Sequence, residues 1–431
     1  MRESENESTL ILADLESGAE RKLVSRKAPE FLDYPAWSPD GRTIACTSVD
    51  ISTTTPNGNY GRILEIRIRD GTTRVISRQR WGLIRQLVWA ADGRGLLMST
   101  RGKEGIFHVW YVSYPDGVAR KLTDGLNEEV GASISADSHQ VVTVQERTLS
   151  GIWRMRPVHA RDAETVVSGS SGTSPAVLMP DGRILFEKEL NGNANIWVVD
   201  ADGKGQKQLT LAGNNFSPSV CRSGRTLACL SDRNGVSAIW TMDTDGGNPV
   251  MVLKAAGDTT PQISPDGTWI VYTATGSGPW RSLWKVGSRG GPAIELNDKL
   301  WRWTSISPDG KFIAGFYADH ELNWQEEPTN IAVMGTEPGQ PWKIISIPPS
   351  VSINAGIRWS PDGRELTYVV SGKDGDNVWS QPVKGGPPHQ ITQLHGYALF
   401  GFDWSQDGKE LVFTRGIQAR DVVLIQDTRQ K

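Results

Sequence analysis

The sequence predicts an all-β fold made of repeated four-stranded antiparallel sheets, and three observations lead to that prediction. One tight-turn motif recurs nine times along the 431 residues. Successive copies lie 42 to 53 residues apart. Each copy is followed by a short alternating or apolar stretch that is typical of a strand. Repeats of this length, with four strands each, indicate a β-propeller.

The turn motif is clearest at Ser360-Pro-Asp-Gly363. Pro361 sets φ for the first corner of a type I turn, Asp362 suits the second, and Gly363 takes the left-handed position without a Cβ penalty. The motif therefore predicts a hairpin between an inner strand and a second strand. The other copies are Ser38-Pro-Asp-Gly41, Ala91-Asp-Gly93, Ala136-Asp-Ser138, Pro180-Asp-Gly182, Arg222-Ser-Gly224, Ser264-Pro-Asp-Gly267, Ser307-Pro-Asp-Gly310 and Ser405-Gln-Asp-Gly408.

A third and a fourth strand follow each hairpin. The fourth is a short edge strand such as 207–210, and the third carries an apolar-Trp pair. Because the pair recurs at six equivalent places, we expect its Trp to pack between neighbouring blades rather than to bind a ligand. The pairs are Val109-Trp110, Ile152-Trp153, Ile196-Trp197, Ile239-Trp240, Leu283-Trp284 and Val378-Trp379.

The two ends of the chain are out of phase with the repeats. Residues 1–33 contain a third and a fourth strand without a hairpin, whereas residues 401–431 contain a hairpin and a third strand. We therefore predict one propeller domain over residues 1–431 with eight to nine four-stranded blades, and the repeat count favours nine with a composite closing blade. The alternative is that residues 1–33 belong to a truncated blade of a longer protein.

Composition argues against several classes of partner. Lys and Arg number 46 against 49 Asp and Glu, and the charges are spread along the chain, so we expect no nucleic acid partner. No apolar run approaches the roughly 18 residues of a membrane span, so we expect no membrane insertion. Three cysteines and six histidines show no metal-site spacing, so we expect no metal and no cofactor. We expect a monomer, in either a cytoplasmic or an extracytoplasmic compartment.

The repeat resembles the WD-like repeat of bacterial TolB-type propellers, most clearly over 217–253, 260–296 and 356–392. This resemblance implies a propeller fold, and its motifs carry no catalytic residue. Similar repeats form the C-terminal propellers of large bacterial kinases and regulators. No Gly-rich nucleotide loop and no His-Arg-Asp loop occurs in the sequence, so the resemblance does not extend to kinase activity.

Insertions point to one face of the predicted propeller. The two longest intervals carry their extra residues between the second and third strands, at 49–61 and 318–328. Loops that enter the inner strands should lie at the same face, and insertions on one face often mark a binding surface. Trp and Arg are common at binding hot spots. The predicted partner-binding residues are Trp280, Arg281, Trp301, Arg302, Trp303, Trp324, Trp81, Arg85 and Tyr397.

These observations predict a non-enzymatic propeller that binds a protein or peptide, or acts as a scaffold, through the loop face. No Gly-x-Ser-x-Gly nucleophile elbow occurs, and we expect no hydrolase domain after Lys431. One alternative is a sensory domain for a small molecule or glycan in a bacterial kinase or regulator. A second is a propeller lyase or hydrolase that uses the channel mouth. Aromatic side chains around a broad rim would favour a protein partner, and a deep polar pocket would favour a small molecule or catalysis.

Overall fold

The computed structural model describes most of the chain. The described residues are 2–4, 7–27, 30–55, 58–102, 106–125, 127–156, 163–170, 174–190, 193–254, 260–275, 281–320, 322 and 326–426. By contacts between residues, the chain divides into two compact units, which are described separately. Unit 1 comprises Met1–Arg147 with Ala419–Lys431, and unit 2 comprises Thr148–Gln418. The single domain over residues 1–431 stays a prediction.

Unit 1 is built from antiparallel sheets. Its first sheet has three strands, β1 (Arg2–Ser4), β2 (Glu7–Ala13) and β3 (Glu20–Lys27). The second has β4 (Glu30–Trp37), β5 (Thr43–Thr55), β6 (Gly58–Arg67) and β7 (Thr73–Val75). The third has β8 (Ile84–Trp89), β9 (Gly95–Arg101), β10 (Phe107–Ser113) and β11 (Ala119–Lys121). Next come β12 (Glu128–Ile134) and the first part of β13 (Gln140–Met155).

Five four-stranded sheets of unit 2 follow the chain in order. Blade 2 has β15 (Val177–Leu178), β16 (Ile184–Leu190), β17 (Asn193–Val199) and β18 (Lys207–Gln208), after β14 (Glu164–Ser170). Blade 3 has β19 (Asn215–Val220), β20 (Thr226–Ser231), β21 (Ala238–Asp243) and β22 (Val250–Lys254). Blade 4 has β23 (Gln262–Ile263), β24 (Trp269–Thr275), β25 (Arg281–Gly287) and β26 (Ile294–Asn297).

Blade 5 has β27 (Leu300–Ile306), β28 (Phe312–Ala318), β29 (Asn330–Gly335) and β30 (Lys343–Ser346). After a short 3-10 helix (Ile353–Ala355), blade 6 has β31 (Ile357–Trp359), β32 (Glu365–Val370), β33 (Asn377–Pro382) and β34 (His389–Gln390).

The remaining blade of unit 2, blade 1, is here called the closing blade, and it combines strands from distant parts of the chain. β35 (Ala398–Trp404) and β36 (Leu411–Gln426) form its hairpin, and β13 and β14 complete it. β13 and β36 each have 16 residues and continue into unit 1, because no turn interrupts 145–151 or 415–420. The prediction that residues 1–33 close a ring with residues 401–431 is thereby corrected, since β1 to β3 form a sheet of their own.

The all-β class and the four-stranded antiparallel blades are confirmed. The described residues form nine sheets, in keeping with the eight to nine predicted from the repeat count, and six of these sheets close a ring within unit 2. The inner strands β15, β19, β23, β27 and β31 lie one against the next, Arg358 of β31 pairs with Asp403 of β35, and β35 lies against β15. An apolar cluster fills the space between each pair of neighbouring blades. This burial between sheets is the main source of stability of the ring.

Local hydrogen bonds explain why the turn motif folds in the same way in each copy. In blade 5, the Gly310 N–H donates to the Ser307 carbonyl at 2.8 Å, which closes the turn. The Ser307 hydroxyl donates to Asp309 at 2.6 Å and accepts the Phe312 N–H at 2.9 Å. Gly310 has a φ of +73°, a conformation in which a Cβ would be strained. The motif therefore satisfies its own polar groups.

Candidate functional site

The predicted loop-face residues do not form one exposed cluster among the described residues. Trp301 is fully buried, and its indole N–H donates to the Asn297 side-chain oxygen at 2.9 Å. Trp81, in unit 1, is also buried and packs edge-on against Trp110 at 5.3 Å between ring centroids. These two indoles are core residues, which corrects their prediction as binding residues. Trp81 lies just before an inner strand and Trp301 lies at the start of one, and burial of the two indoles anchors the chain at these places.

The other predicted residues have varied surroundings. In unit 2, Arg302 pairs with Glu327 at 2.7 Å, and Trp303 is half-buried with a left-handed φ of 51°. Arg281 is half-buried at the start of β25, and Tyr397 is partly exposed beneath the Arg415 guanidinium, 4.6 Å from its ring centroid. In unit 1, Arg85 lies over the Phe107 ring at 4.5 Å. Trp280 and Trp324 lie outside the described residues. A binding role for these residues stays a prediction.

The channel of unit 2 contains a cavity of about 190 Å³ at the end where the hairpin turns lie. All six inner strands contribute to its wall. The hairpin turns and the connections between second and third strands lie at opposite ends of a blade, because adjacent strands run antiparallel. The cavity is therefore at the opposite end from the predicted loop face.

One ring of residues lines the channel wall and is here called the inner ring. Its members occupy the same position in every repeat, four residues before the residue that precedes the turn glycine. The inner ring links neighbouring blades, because the Ser219 hydroxyl accepts the Ile263 N–H at 3.0 Å and Asp403 accepts the Leu178 N–H at 3.0 Å. The inner ring consists of Val177, Ser219, Gln262, Ser305, Arg358 and Asp403.

Arg358 and Asp403 form the ion pair of the inner ring. The Arg358 Nε lies 3.5 Å from the Asp403 carboxylate, and both side chains are largely buried. Burial raises the pKa of Asp403, whereas the Arg358 charge and the Leu178 N–H act in the opposite direction. The pair joins blade 6 to the closing blade, and the bond to Leu178 joins the closing blade to blade 2. Asp403 thus helps to close the ring.

A second ring forms the rim of the cavity and is here called the mouth ring. Its members stand two residues before the turn glycine in each repeat. Four of the six are prolines, which have no N–H to donate. The mouth ring consists of Pro180, Arg222, Pro265, Pro308, Pro361 and Gln406. Side-chain donors on this rim are therefore confined to Arg222 and Gln406.

Arg222 and Gln406 connect blades that are not adjacent in the ring. The Gln406 side-chain amide donates to the Arg222 carbonyl at 2.9 Å, and the Arg222 N–H donates to the Pro265 carbonyl at 3.0 Å. The Arg222 guanidinium reaches the Pro308 carbonyl at 3.4 Å, a long bond. Hydrogen bonds therefore fix both the N–H and the carbonyl of Arg222, whereas its side chain lies at the mouth with one long hydrogen bond.

Sequence reasoning missed the mouth ring and the role of Asp403. The signal was present, because the turns Arg222-Ser-Gly224 and Ser405-Gln-Asp-Gly408 lack the consensus proline. Aligning the nine turns by position, without reference to any structure, shows four residues in place of the proline, and Arg222 and Gln406 are the two of these that have polar side chains; the others are Ala91 and Ala136. Only the closed ring shows that both polar residues contribute to one rim.

Comparisons with known proteins agree with the fold. TolB from Acinetobacter baumannii has a TM-score of 0.44 and 15% identity, covering 78% of this chain and 80% of that chain. The β-propeller domain of the Trilobed protease from Pyrococcus furiosus has a TM-score of 0.39 and 11% identity, covering 93% and 97%. The antiparallel four-stranded blades of this chain are those that the resemblance of its repeat to TolB-type propellers implies. No family model matches the chain.

One curated relative bears on function. The uncharacterized peptidase YuxL of Bacillus subtilis (strain 168) is 29% identical over 157 residues, which are 36% of this chain and 20% of that protein. The match thus spans a fifth of the relative's length. We predicted a non-enzymatic propeller that binds a partner or acts as a scaffold. This match contradicts that prediction, because the relative is named a peptidase. The prediction rested on a missing catalytic motif, and a missing motif is weak evidence.

Among the described residues, no helix is long and apolar enough to cross a membrane.

Proposed function

We propose that this chain is itself a peptidase built on a propeller, and that the unit 2 channel takes up one end of a peptide. The observation that carries the proposal is the cavity at the turn end of the channel, whose wall combines apolar and polar groups from all six blades. The name of the curated relative supports the reaction class.

The size of the cavity favours an extended chain end. Its volume of about 190 Å³ is below the roughly 300 to 1,000 Å³ of pockets that enclose drug-sized ligands. A terminal residue of a peptide with its neighbouring backbone suits such a space. A folded partner would bind outside the cavity, where it would gain nothing from the inner ring.

The chemistry of the wall also suits a peptide. Trp359 and Trp404 line the cavity, and their indole N–H groups already donate to the Ser305 carbonyl at 3.1 Å and to the Thr367 hydroxyl at 3.0 Å. Their exposed surface is therefore mainly apolar and suits side chains. Gln262 and Arg358 of the inner ring supply donors and an acceptor for the peptide backbone.

The proposal is tested by incubating the chain with short peptides of defined sequence and identifying the fragments by mass spectrometry. We expect hydrolysis that falls at least about tenfold when the channel pair is replaced in the double variant Arg358→Met, Asp403→Leu. Replacing both partners avoids leaving an unpaired charge. A matched control is Arg154→Met, Glu410→Leu, which removes an ion pair of the closing blade that does not line the cavity.

Two outcomes would reject the assignment. Peptide binding without cleavage would exclude the peptidase activity of the chain. Cleavage that falls equally in the channel variant and in the control variant would exclude the channel as the peptide site. Thermal unfolding of both variants is measured first, so that a loss of folded protein is not read as a loss of activity.

A further inference from the structure

The six turns around the unit 2 channel differ in charge. Five of them carry an Asp just before the turn glycine, and in four of these a basic residue follows the glycine. In blade 2 the Arg183 guanidinium lies 2.8 Å from Asp181, and in blade 5 the Lys311 amine lies 3.8 Å from Asp309. These turns are close to neutral. In blade 4 the Thr268 hydroxyl donates to Asp266 at 2.9 Å, which leaves that turn with one negative charge.

The blade 3 turn has the opposite charge. Its sequence is Cys221-Arg-Ser-Gly-Arg225, in which Ser223 replaces the Asp and Arg222 replaces the proline. The turn therefore carries two positive charges and no carboxylate. Arg222 lines the channel cavity, and Arg225 follows on the same turn. We call these two residues the basic corner.

The guanidinium of Arg222 is available for an anion. Its side chain makes one long hydrogen bond, 3.4 Å to the neutral Pro308 carbonyl. Within the part of the chain that the structure describes, no carboxylate lies at ion-pair distance from Arg222 or Arg225. Two acidic groups, Asp309 and Asp362, line a groove next to Arg222 but pair with Lys311 and Arg364.

A carboxylate would be a better partner for Arg222 than the carbonyl it now contacts. Guanidinium–carboxylate bonds are charge-assisted and often bidentate, and they are about twice as strong as neutral hydrogen bonds. The rest of the rim offers little competition, because its prolines have no N–H and Gln406 already donates to the Arg222 carbonyl. The basic corner is thus the one corner of the rim with surplus positive charge, judged over the described turns.

We propose that the basic corner binds the C-terminal carboxylate of a peptide that enters the channel from the turn end. This inference rests on the proposed function and names its substrate class, namely peptides with a free C-terminus. The carboxylate replaces the Pro308 carbonyl on Arg222, and the side chains before it extend into the cavity between Trp359 and Trp404.

The test measures binding of three probes to the full chain by titration calorimetry: N-acetyl-trialanine as the free acid, the same peptide as its C-terminal amide, and a C-terminal amide with an internal glutamate. We expect the free acid to bind about tenfold more tightly than either amide. R222M is expected to remove that preference without weakening the amides. R222K, which keeps the charge but not the bidentate geometry, is expected to retain part of it.

K409M is the matched control, because Lys409 lies in the equivalent turn of the closing blade and faces Asp407 at 3.7 Å, away from the groove that Arg222 lines. We expect K409M to keep the full preference for the free acid. Equal affinity of the wild-type chain for acid and amide would overturn the proposal without any variant. An unchanged preference in folded R222M, or tight binding of the internal-glutamate amide, would also overturn it.

The outcome separates this inference from the proposed function. If none of the three peptides binds and none is cleaved, the proposed function fails together with the basic corner. If all three peptides bind equally and are cleaved, the proposed function stands and only the carboxylate inference fails.

Discussion

The turns of blade 3 and blade 5 occupy the same place in the repeat and have the same backbone. Gly224 has a φ of +69° and Gly310 has a φ of +73°. In both turns the glycine N–H donates back to the first residue of the turn, at 2.9 Å in blade 3 and 2.8 Å in blade 5. Two different sequences therefore fold into one conformation.

Their chemistry is nevertheless different. Ser307 of blade 5 holds Asp309 and two backbone N–H groups through its hydroxyl. In blade 3 the thiol of Cys221 takes that place, contacts the Ser223 hydroxyl at 3.2 Å and accepts the Thr226 N–H at 3.3 Å. The glycine and one polar side chain at the first position therefore suffice to form the turn. The remaining positions can vary in charge, and in blade 3 they place cations at the channel.

The largest expected contrast is in thiol reactivity. Burial raises the pKa of Cys221, but bonds from the Ser223 hydroxyl and from backbone N–H groups outweigh it, so the pKa lies below its usual value. Burial raises the pKa of Cys229, on the following strand, to about 12. At pH 8 we therefore expect Cys221 to react with iodoacetamide at least about a hundredfold faster than Cys229 does. Mass spectrometry of the native protein measures the rates, and C221S should lose the fast reaction.

The next expectation concerns the shared backbone. Valine at Gly224 or at Gly310 should cost about 2 kcal/mol of unfolding free energy in either blade, because a β-branched residue is strained at positive φ. Denaturant unfolding measures the loss. Gly335→Ala is the control, since an added Cβ there meets nothing within 4 Å. A large loss in one blade alone would mean that the two turns do not share a conformation.

A smaller effect separates the two polar anchors. Ser307→Ala removes a buried hydroxyl with three hydrogen bonds, and we expect a loss of about 1 to 2 kcal/mol. Cys221→Ala should cost less, because sulfur is a weak acceptor. Chemical denaturation of the two variants gives the comparison. If the two losses are equal, the thiol is as good an anchor as the hydroxyl.

The smallest effect is a dependence on pH. The Ser307 hydroxyl bonded to Asp309 holds the pKa of that carboxyl below its usual value. Its contribution is therefore present at neutral pH and is lost as the pH falls through the lowered pKa. Because Asp309 is mostly exposed, Asp309→Asn should cost only about 0.5 kcal/mol at pH 7 and nothing near pH 2. Ser223→Asn in blade 3 should show no such dependence between these pH values.

The fold could be predicted from the sequence wherever a signal is local. The turn of Ser360-Pro-Asp-Gly363 and its copies gave the hairpins, and the spacing gave four strands per repeat. The prediction went wrong at β13 and β36, where a second strand continues for 16 residues without a turn. The stretch 145–151 has no tight-turn signal, but the regular repeat suggested a connection there.

The candidate site was less predictable. The residue type of Trp301 predicts a binding role, but its burial in the core excludes it from a binding surface. The sequence does not predict a role for Asp403, because nothing in its local sequence distinguishes it from other residues of an inner strand. Its importance comes from the contacts with Leu178 and Arg358, which belong to two other blades.

The sequence by itself determined the all-β class, the turn conformation and the turns without the consensus proline, Arg222 and Gln406 among them, because each depends on residues a few positions apart. Tertiary structure alone decided which strands complete the closing blade and which residues meet in the channel. Leu178 and Asp403 are 225 residues apart, and Arg222 and Gln406 are 184 apart. Such pairings depend on ring closure, which is set by packing between blades and leaves no local pattern in the chain.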